Sequence, residues 1–180
     1  MKDINLLSLD MELNQPSRTI IQIGCIIGNL KSGEILKEYL AFIKTDEIIN
    51  PRITKLTGIK QSEINMGISL QQTYKDLKLF HETYGCFRNF LQWGQGDSEY
   101  LRKQLQLDDE IFLGGRRTID AKTIYVSYRF AHNLSHQAGL AKALVKLGLQ
   151  FDGRKHNALD DARNTFIIYR ELLKKYKNES

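Results

Sequence analysis

The end of the chain carries its most restrictive pattern. Leu159, Ala162, Phe166, Tyr169 and Leu173 recur at 3,4,3,4 spacing, and Ala158, Asp161, Thr165, Ile168 and Leu172 repeat that spacing as a second stripe alongside. Only a helix places such residues on one face, and a stripe of this kind needs an apolar surface to cover. Asp161 then falls at the edge of the buried face, in the first helical turn. The run Lys174-Lys175-Tyr176-Lys177 closes the helix with cations, which its macrodipole favours without any further role.

The surface for that helix is sought in the first third of the chain, which reads as strands. Residues 4–9 are a short apolar run ending at Asp10, residues 19–27 are rich in β-branched side chains, and residues 35–43 partly alternate. Turn signals at Asn14-Gln15-Pro16-Ser17 and from Asn29 to Gly33 separate them, so a three-stranded meander with the first strand near the centre of a sheet is expected. Beyond Pro51 the pattern becomes short helical pieces interrupted at Gly58 and Gly67, then a helix over 70–80. The apolar run 86–93 reads as a further candidate strand. A helix follows over about 97–107, then a short strand at 118–120 with Asp120 capping a helix through Phe130. Ser135 or Gln137 opens a helix over 138–147 that stops at Gly148. Strands first, then strands and helices mixed, give an α/β class with a mixed sheet.

At 180 residues one hydrophobic core is affordable and two ordinary domains are not expected. The net charge of +5 and pI near 9.1 favour an anionic partner. Cys25 and Cys86 lack zinc-like spacing, and Cys25 lies in an apolar run as a small hydrophobe, so no disulfide framework is expected. The N-terminal apolar run is short and interrupted by acids, unlike a signal peptide. No stretch approaches the roughly 20 apolar residues of a membrane span, and the expected compartment is the cytoplasm.

Three acidic motifs carry the chemistry. In Leu9-Asp10-Met11-Glu12 the two acids are two apart, on one side of a strand. Like charges held so close resist ionisation unless a cation joins them, and hard divalent ions suit such oxygen ligands. The plainer alternative is a strand whose terminal acids meet solvent. Asp97 follows Trp93-Gly94-Gln95-Gly96 and opens a helix, where an N-cap role is the alternative. In His156-Asn157-Ala158-Leu159-Asp160-Asp161-Ala162 the histidine precedes the last helix and Asp161 sits in its first turn, so both approach one point. Asp160 is set aside as a complement to the helix N-terminus.

D-x-E, a distant Asp opening a helix, and H-x-A-x-x-D-A, in that order over residues 6 to about 172, resemble the DEDDh branch of the DnaQ-like exonucleases. The Trp93-Gly94-x-x-Asp97 form is similar to the subgroup of ERI-type RNA exonucleases and KapD. Ile53-Thr54-Lys55-Leu56-Thr57-Gly58-Ile59 resembles that family's loop near the terminal nucleotide. The segment from Leu140 to Leu149 resembles the helix before its last motif. Two departures bear on substrate preference. Leu13 stands where many relatives carry threonine or phenylalanine, and Gln92 stands where the subgroup often has serine.

The resemblance implies a ribonuclease H-like fold, a central mixed sheet with helices on both sides, and a single exonuclease domain over residues 1–180 with its core at about 4–176. It implies that Asp10, Glu12, Asp97 and Asp161 hold two divalent ions, Mg²⁺ or Mn²⁺, roughly 3.5–4 Å apart. His156 would act as general base. Substrate contacts are expected from Met11, Leu13, Thr57, Gly58 and Trp93. The implied reaction releases nucleoside 5′-monophosphates from the 3′ end of single-stranded or overhanging RNA or DNA, with RNA or short oligonucleotides favoured. The alternatives are a nuclease-fold module that binds nucleic acid or a protein with little catalysis, and an endonuclease of RNase H type. His132 and His136 have a zinc-compatible spacing without an evident third ligand.

Overall fold

The computed structural model describes residues 1–108, 112–115, 117–135 and 139–178. The expected meander forms from β1 (Asn5–Leu13), β2 (Ile20–Asn29) and β3 (Ile35–Phe42), paired antiparallel. On its other edge β1 pairs in parallel with β4 (Leu91–Gln92), and β4 with β5 (Ile119–Asp120). The order β3-β2-β1-β4-β5 makes the sheet mixed and puts β1 at its centre.

Two strands differ from the sequence pattern. β1 continues through Asp10 to Leu13 because Asp10 pairs with Gly24 and Glu12 with Gln22. Both acids therefore lie inside the strand rather than beyond its end. The apolar run 86–93 contributes only two ladder residues. Asn89 turns its side-chain amide to the Arg117 carbonyl at 2.6 Å, and Gly94, at φ 90°, takes the chain off the sheet.

Alternation along β1 divides its side chains between two helical layers. Leu7, Leu9 and Met11 are buried with Leu77 of α3 (Leu70–Thr83), Leu101 of α4 (Asp97–Leu105) and Phe112. Leu6 packs with Phe166 of α7 (Ala158–Asn178), and the Ser8 hydroxyl donates to the Ala162 carbonyl at 2.8 Å. Helices α5 (Ala121–Ala131) and α6 (Leu140–Lys146) pack on the outer side of α7 through Tyr125, Leu144, Ile168 and Leu172. Two short helices, α1 (Pro51–Thr57) and α2 (Gln61–Asn65), cover Ile21 with Ile59 and Ile64. Fully burying one such side chain stabilises by about 1.5–3 kcal/mol, so tertiary packing rather than helix propensity fixes these short helices.

Helix starts test the capping expectations. Asp120 caps α5 as expected, accepting from the backbone N–H groups of Lys122 (2.9 Å) and Thr123 (3.2 Å). Asp97 is not a cap: Gly96 is, and Asp97 is the first helical residue. Helix α6 follows Gly139 without a side-chain cap. Ser135 instead offers its carbonyl to the Arg129 side chain at 2.9 Å, while Gln137 and Ala138 lie outside the described residues. His136 also lies outside them, and the His132 ring rests 4.4 Å from that of Tyr128. Among the described residues no helix is long and apolar enough to cross a membrane.

Candidate active site

The start of α7 is seated on β2 opposite the acidic end of β1. A Cβ on Gly24 would lie 2.1 Å from the Ala158 backbone, so only glycine lets the helix come this close. Beside it, the Gln22 side-chain oxygen accepts from the Ala158 N–H at 3.0 Å. Gly24 and Gln22 are the register partners of Asp10 and Glu12. The contact therefore fixes α7 against the strand that carries both acids. A glycine and a glutamine inside a β-branched run are the sequence signals of this contact, and neither belongs to the acidic motifs.

Asn157 caps α7, its side-chain oxygen accepting from the N–H groups of Leu159 (3.1 Å) and Asp160 (3.3 Å). His156 precedes it in the left-handed region at φ 61° and donates its backbone N–H to Asp161 Oδ2 at 3.1 Å. One ligand atom each from Glu12, His156 and Asp161 lie within 4.8 Å of one another. Asp10, Asp161 and His156 also share the wall of a pocket of about 410 Å³ with Trp93, Lys142 and Phe151. A larger cavity of about 490 Å³ between Gln92, Arg102 and Arg117 is lined by none of the four acids nor by His156.

Asp97 arrives from the β4 side on a turn that Gln92 holds. The buried Gln92 accepts from the Ser98 hydroxyl at 2.7 Å and donates to the Gly94 carbonyl at 2.9 Å. Asp120 fixes the same turn by accepting from the Gly94 N–H at 3.0 Å. The residue that departs from the subgroup pattern is thus the one that positions Asp97.

Electrostatics bind the four carboxyls into one unit. Burial, followed by Asp97, Asp161 and Glu12, pushes Asp10 well above the ordinary carboxyl range. Burial and the charges of Asp161 and Asp97 raise Glu12 to about 7. Burial raises Asp97 to about 7. It also raises Asp161 to about 6, partly offset by the His156 N–H and ring. Among the described residues no lysine or arginine is a cause of these four shifts. Four carboxyl donors that repel one another in this way suit hard divalent ions.

The five expected substrate contacts divide. Trp93 lines the pocket with the acids and packs on Tyr125 at 5.9 Å. Gly58, at φ 75°, lies directly under the Arg154 guanidinium of the His156 loop. Thr57 is buried, and its hydroxyl is engaged by the Ile53 carbonyl (2.9 Å) and the Ile59 N–H (3.1 Å). Met11 is buried in the opposite face of the sheet, and Leu13 packs against that same cluster. The structure does not bring Met11 together with the acids.

A family model described as RNase_T, exonuclease, matches residues 8–169. The chain belongs to the RNase_T exonuclease family. Over 184 residues this RNase_T chain is 27% identical to human ERI1 exoribonuclease 2, covering 88% of its own length and 26% of that protein. It is 26% identical to the Drosophila melanogaster 3′-5′ exonuclease Snipper, covering 81% of this chain and 57% of that one. The chain spans about a quarter of the length of the first curated relatives it matches. The nuclease domain of 3′hExo, described as a DEDDh family member bound to rAMP, superimposes with a TM-score of 0.77 at 19% identity, covering 96% of this chain and 93% of that one. The fold is therefore the α/β, ribonuclease H-like arrangement of these exonucleases, an enzyme family that uses divalent metal ions.

Proposed function

We propose that this chain forms one exonuclease domain that removes nucleotides from the 3′ end of RNA, or of a short single-stranded or overhanging oligonucleotide, releasing nucleoside 5′-monophosphates. The observation that carries the reading is the set of four mutually repelling carboxyls, raised in pKa by burial and by one another, with His156 beside them. The names of the human and Drosophila relatives, an exoribonuclease and a 3′-5′ exonuclease, support the substrate and the direction.

Asp10, Glu12, Asp97 and Asp161 would hold two ions, Mg²⁺ or Mn²⁺. When bound, such ions supply an activated water and stabilise the leaving 3′-oxygen. His156 takes the proton of the attacking water, a task suited to an imidazole's near-neutral intrinsic pKa. Its backbone bond ties the histidine loop to Asp161, and a ring nitrogen lies within 4.8 Å of the Glu12 and Asp161 carboxyls. Trp93 walls the pocket and offers an apolar surface to the terminal nucleoside.

The test is a paired time course on 5′-labelled single-stranded RNA and DNA, in Mn²⁺ or in EDTA. A ladder that shortens from the 3′ end only with metal, faster on RNA, is expected. No degradation of either strand by folded protein in Mn²⁺ would overturn the reading in favour of a binding module.

A further inference from the structure

A second, smaller cavity continues the active-site pocket. It encloses about 260 Å³ and is lined by Ala141, Lys142, Val145, Lys146 and Lys155. Three of these, Ala141, Lys142 and Lys155, also line the pocket of Asp10, His156 and Asp161, so the two spaces are contiguous. Lys142, Val145 and Lys146 lie on one face of α6, while Lys155 comes from the loop that carries His156. The outer cavity therefore has an apolar floor of Ala141 and Val145, with cations from two elements at its rim. Among the described residues no acidic side chain lines it.

We propose that this groove is the exit path of the substrate strand, with Lys142 and Lys155 holding the phosphates that lie 5′ to the scissile bond. The inference rests on the exonuclease reading and adds to it a direction for the strand and two residues that grip it. Divalent ions held by the four carboxyls would compensate only the scissile phosphate, and the next phosphates along the strand need cations of their own close by. Lys142 and Lys155 are exposed and stand where the inner pocket opens into the outer one. Lys142 and Lys146 are one helical turn apart, a rise of about 6 Å, so α6 offers cations spaced along a strand rather than at one point. The larger cavity near Arg102 and Arg117 shares neither His156 nor any of the acids, and Glu99 lines it. It is the poorer continuation.

The experiment compares wild type with the double variant Lys142→Gln, Lys155→Gln. Binding of phosphorothioate RNA is read by fluorescence anisotropy against salt in Ca²⁺, using a dinucleotide and an octanucleotide. Wild type gains affinity with length. In the variant the octanucleotide binds roughly tenfold more weakly, and the slope of log affinity on log salt falls by about 1.4, two contacts at about 0.7 each. The ratio of octanucleotide to dinucleotide affinity shrinks accordingly. An unchanged ratio and slope, in a variant with wild-type melting behaviour, would overturn the proposal. Absence of hydrolysis in the Mn²⁺ time course would count against the exonuclease reading, and the salt slopes would still decide the strand path.

Discussion

Two acidic clusters lie within one turn of each other at the start of α7, and the protein treats them in opposite ways. Asp160 joins Glu38 and Asp152 around the largely buried Arg163, whose Nη1 lies 2.6 Å from Asp160 and whose Nε lies 2.8 Å from Glu38 and 3.8 Å from Asp152. Asp160 also accepts the Arg154 N–H at 2.9 Å. Its neighbour Asp161 interacts with Asp10 and Glu12, and among the described residues its hydrogen bond comes from the His156 backbone. The first cluster carries its cation in the sequence and is complete. The second gathers four donors without an ion pair among the described residues, at a cost in folding that a structural role alone would not maintain.

The largest expected effect comes from removing a donor. Asp10→Asn should abolish hydrolysis while leaving the metal-free protein as stable or more so, because carboxyl repulsion is relieved. A clear drop in metal-free melting temperature would place Asp10 with the Arg163 cluster, as a structural acid. His156→Ala comes next, with turnover lowered about 10²–10⁴-fold, the usual range for a general base, and divalent binding largely retained. Unchanged single-turnover rates would remove the histidine from the chemistry.

The pH dependence of stability separates the clusters more gently. Glu12 and Asp97 are raised to about 7 and Asp161 to about 6, against about 4 in the unfolded chain. Between those values the native state holds more protons, so stability falls as pH rises. The contribution is whole below about pH 4 and lost as pH climbs through 6 and 7. Metal-free denaturant melts should therefore be weaker at pH 8 than at pH 5, by on the order of a few kcal/mol, and Mn²⁺ at pH 8 should restore the difference. Equal metal-free stability at both pH values would mean that the acids are compensated after all. The smallest effect is Arg163→Met, a loss of about 1–3 kcal/mol in urea melts, because Glu38 and Asp152 can turn to solvent. A larger penalty from Arg163→Met than from charge loss in the other cluster would reverse the comparison.

Much of the candidate site was legible in the order of its motifs, through the family they resemble. The D-x-E pair needs only strand alternation, and the stripes of α7 need only the 3.6-residue period. The sheet class and the central place of β1 follow from the order of strands and helices. What spacing did not reveal depends on contacts distant in the chain. Glu38 meets Arg163 across 125 positions, and Gly24 matters because α7 returns to rest on it. The shortness of β4 reflects Asn89 bonding to a carbonyl in the segment before β5. Gly96 displaced Asp97 from the cap because its φ of 121° turns the chain there, a backbone conformation that an aspartate would adopt only under strain.

The central claim is that the second cluster is a divalent metal site. Isothermal titration of Mn²⁺ into the metal-free protein above pH 7 tests it most directly, with Asp10→Asn and Asp160→Asn titrated alongside. Two ions bound by wild type and by Asp160→Asn, and at least one lost from Asp10→Asn, is the predicted result. No binding by folded wild-type protein, or equal binding by Asp10→Asn, would contradict it.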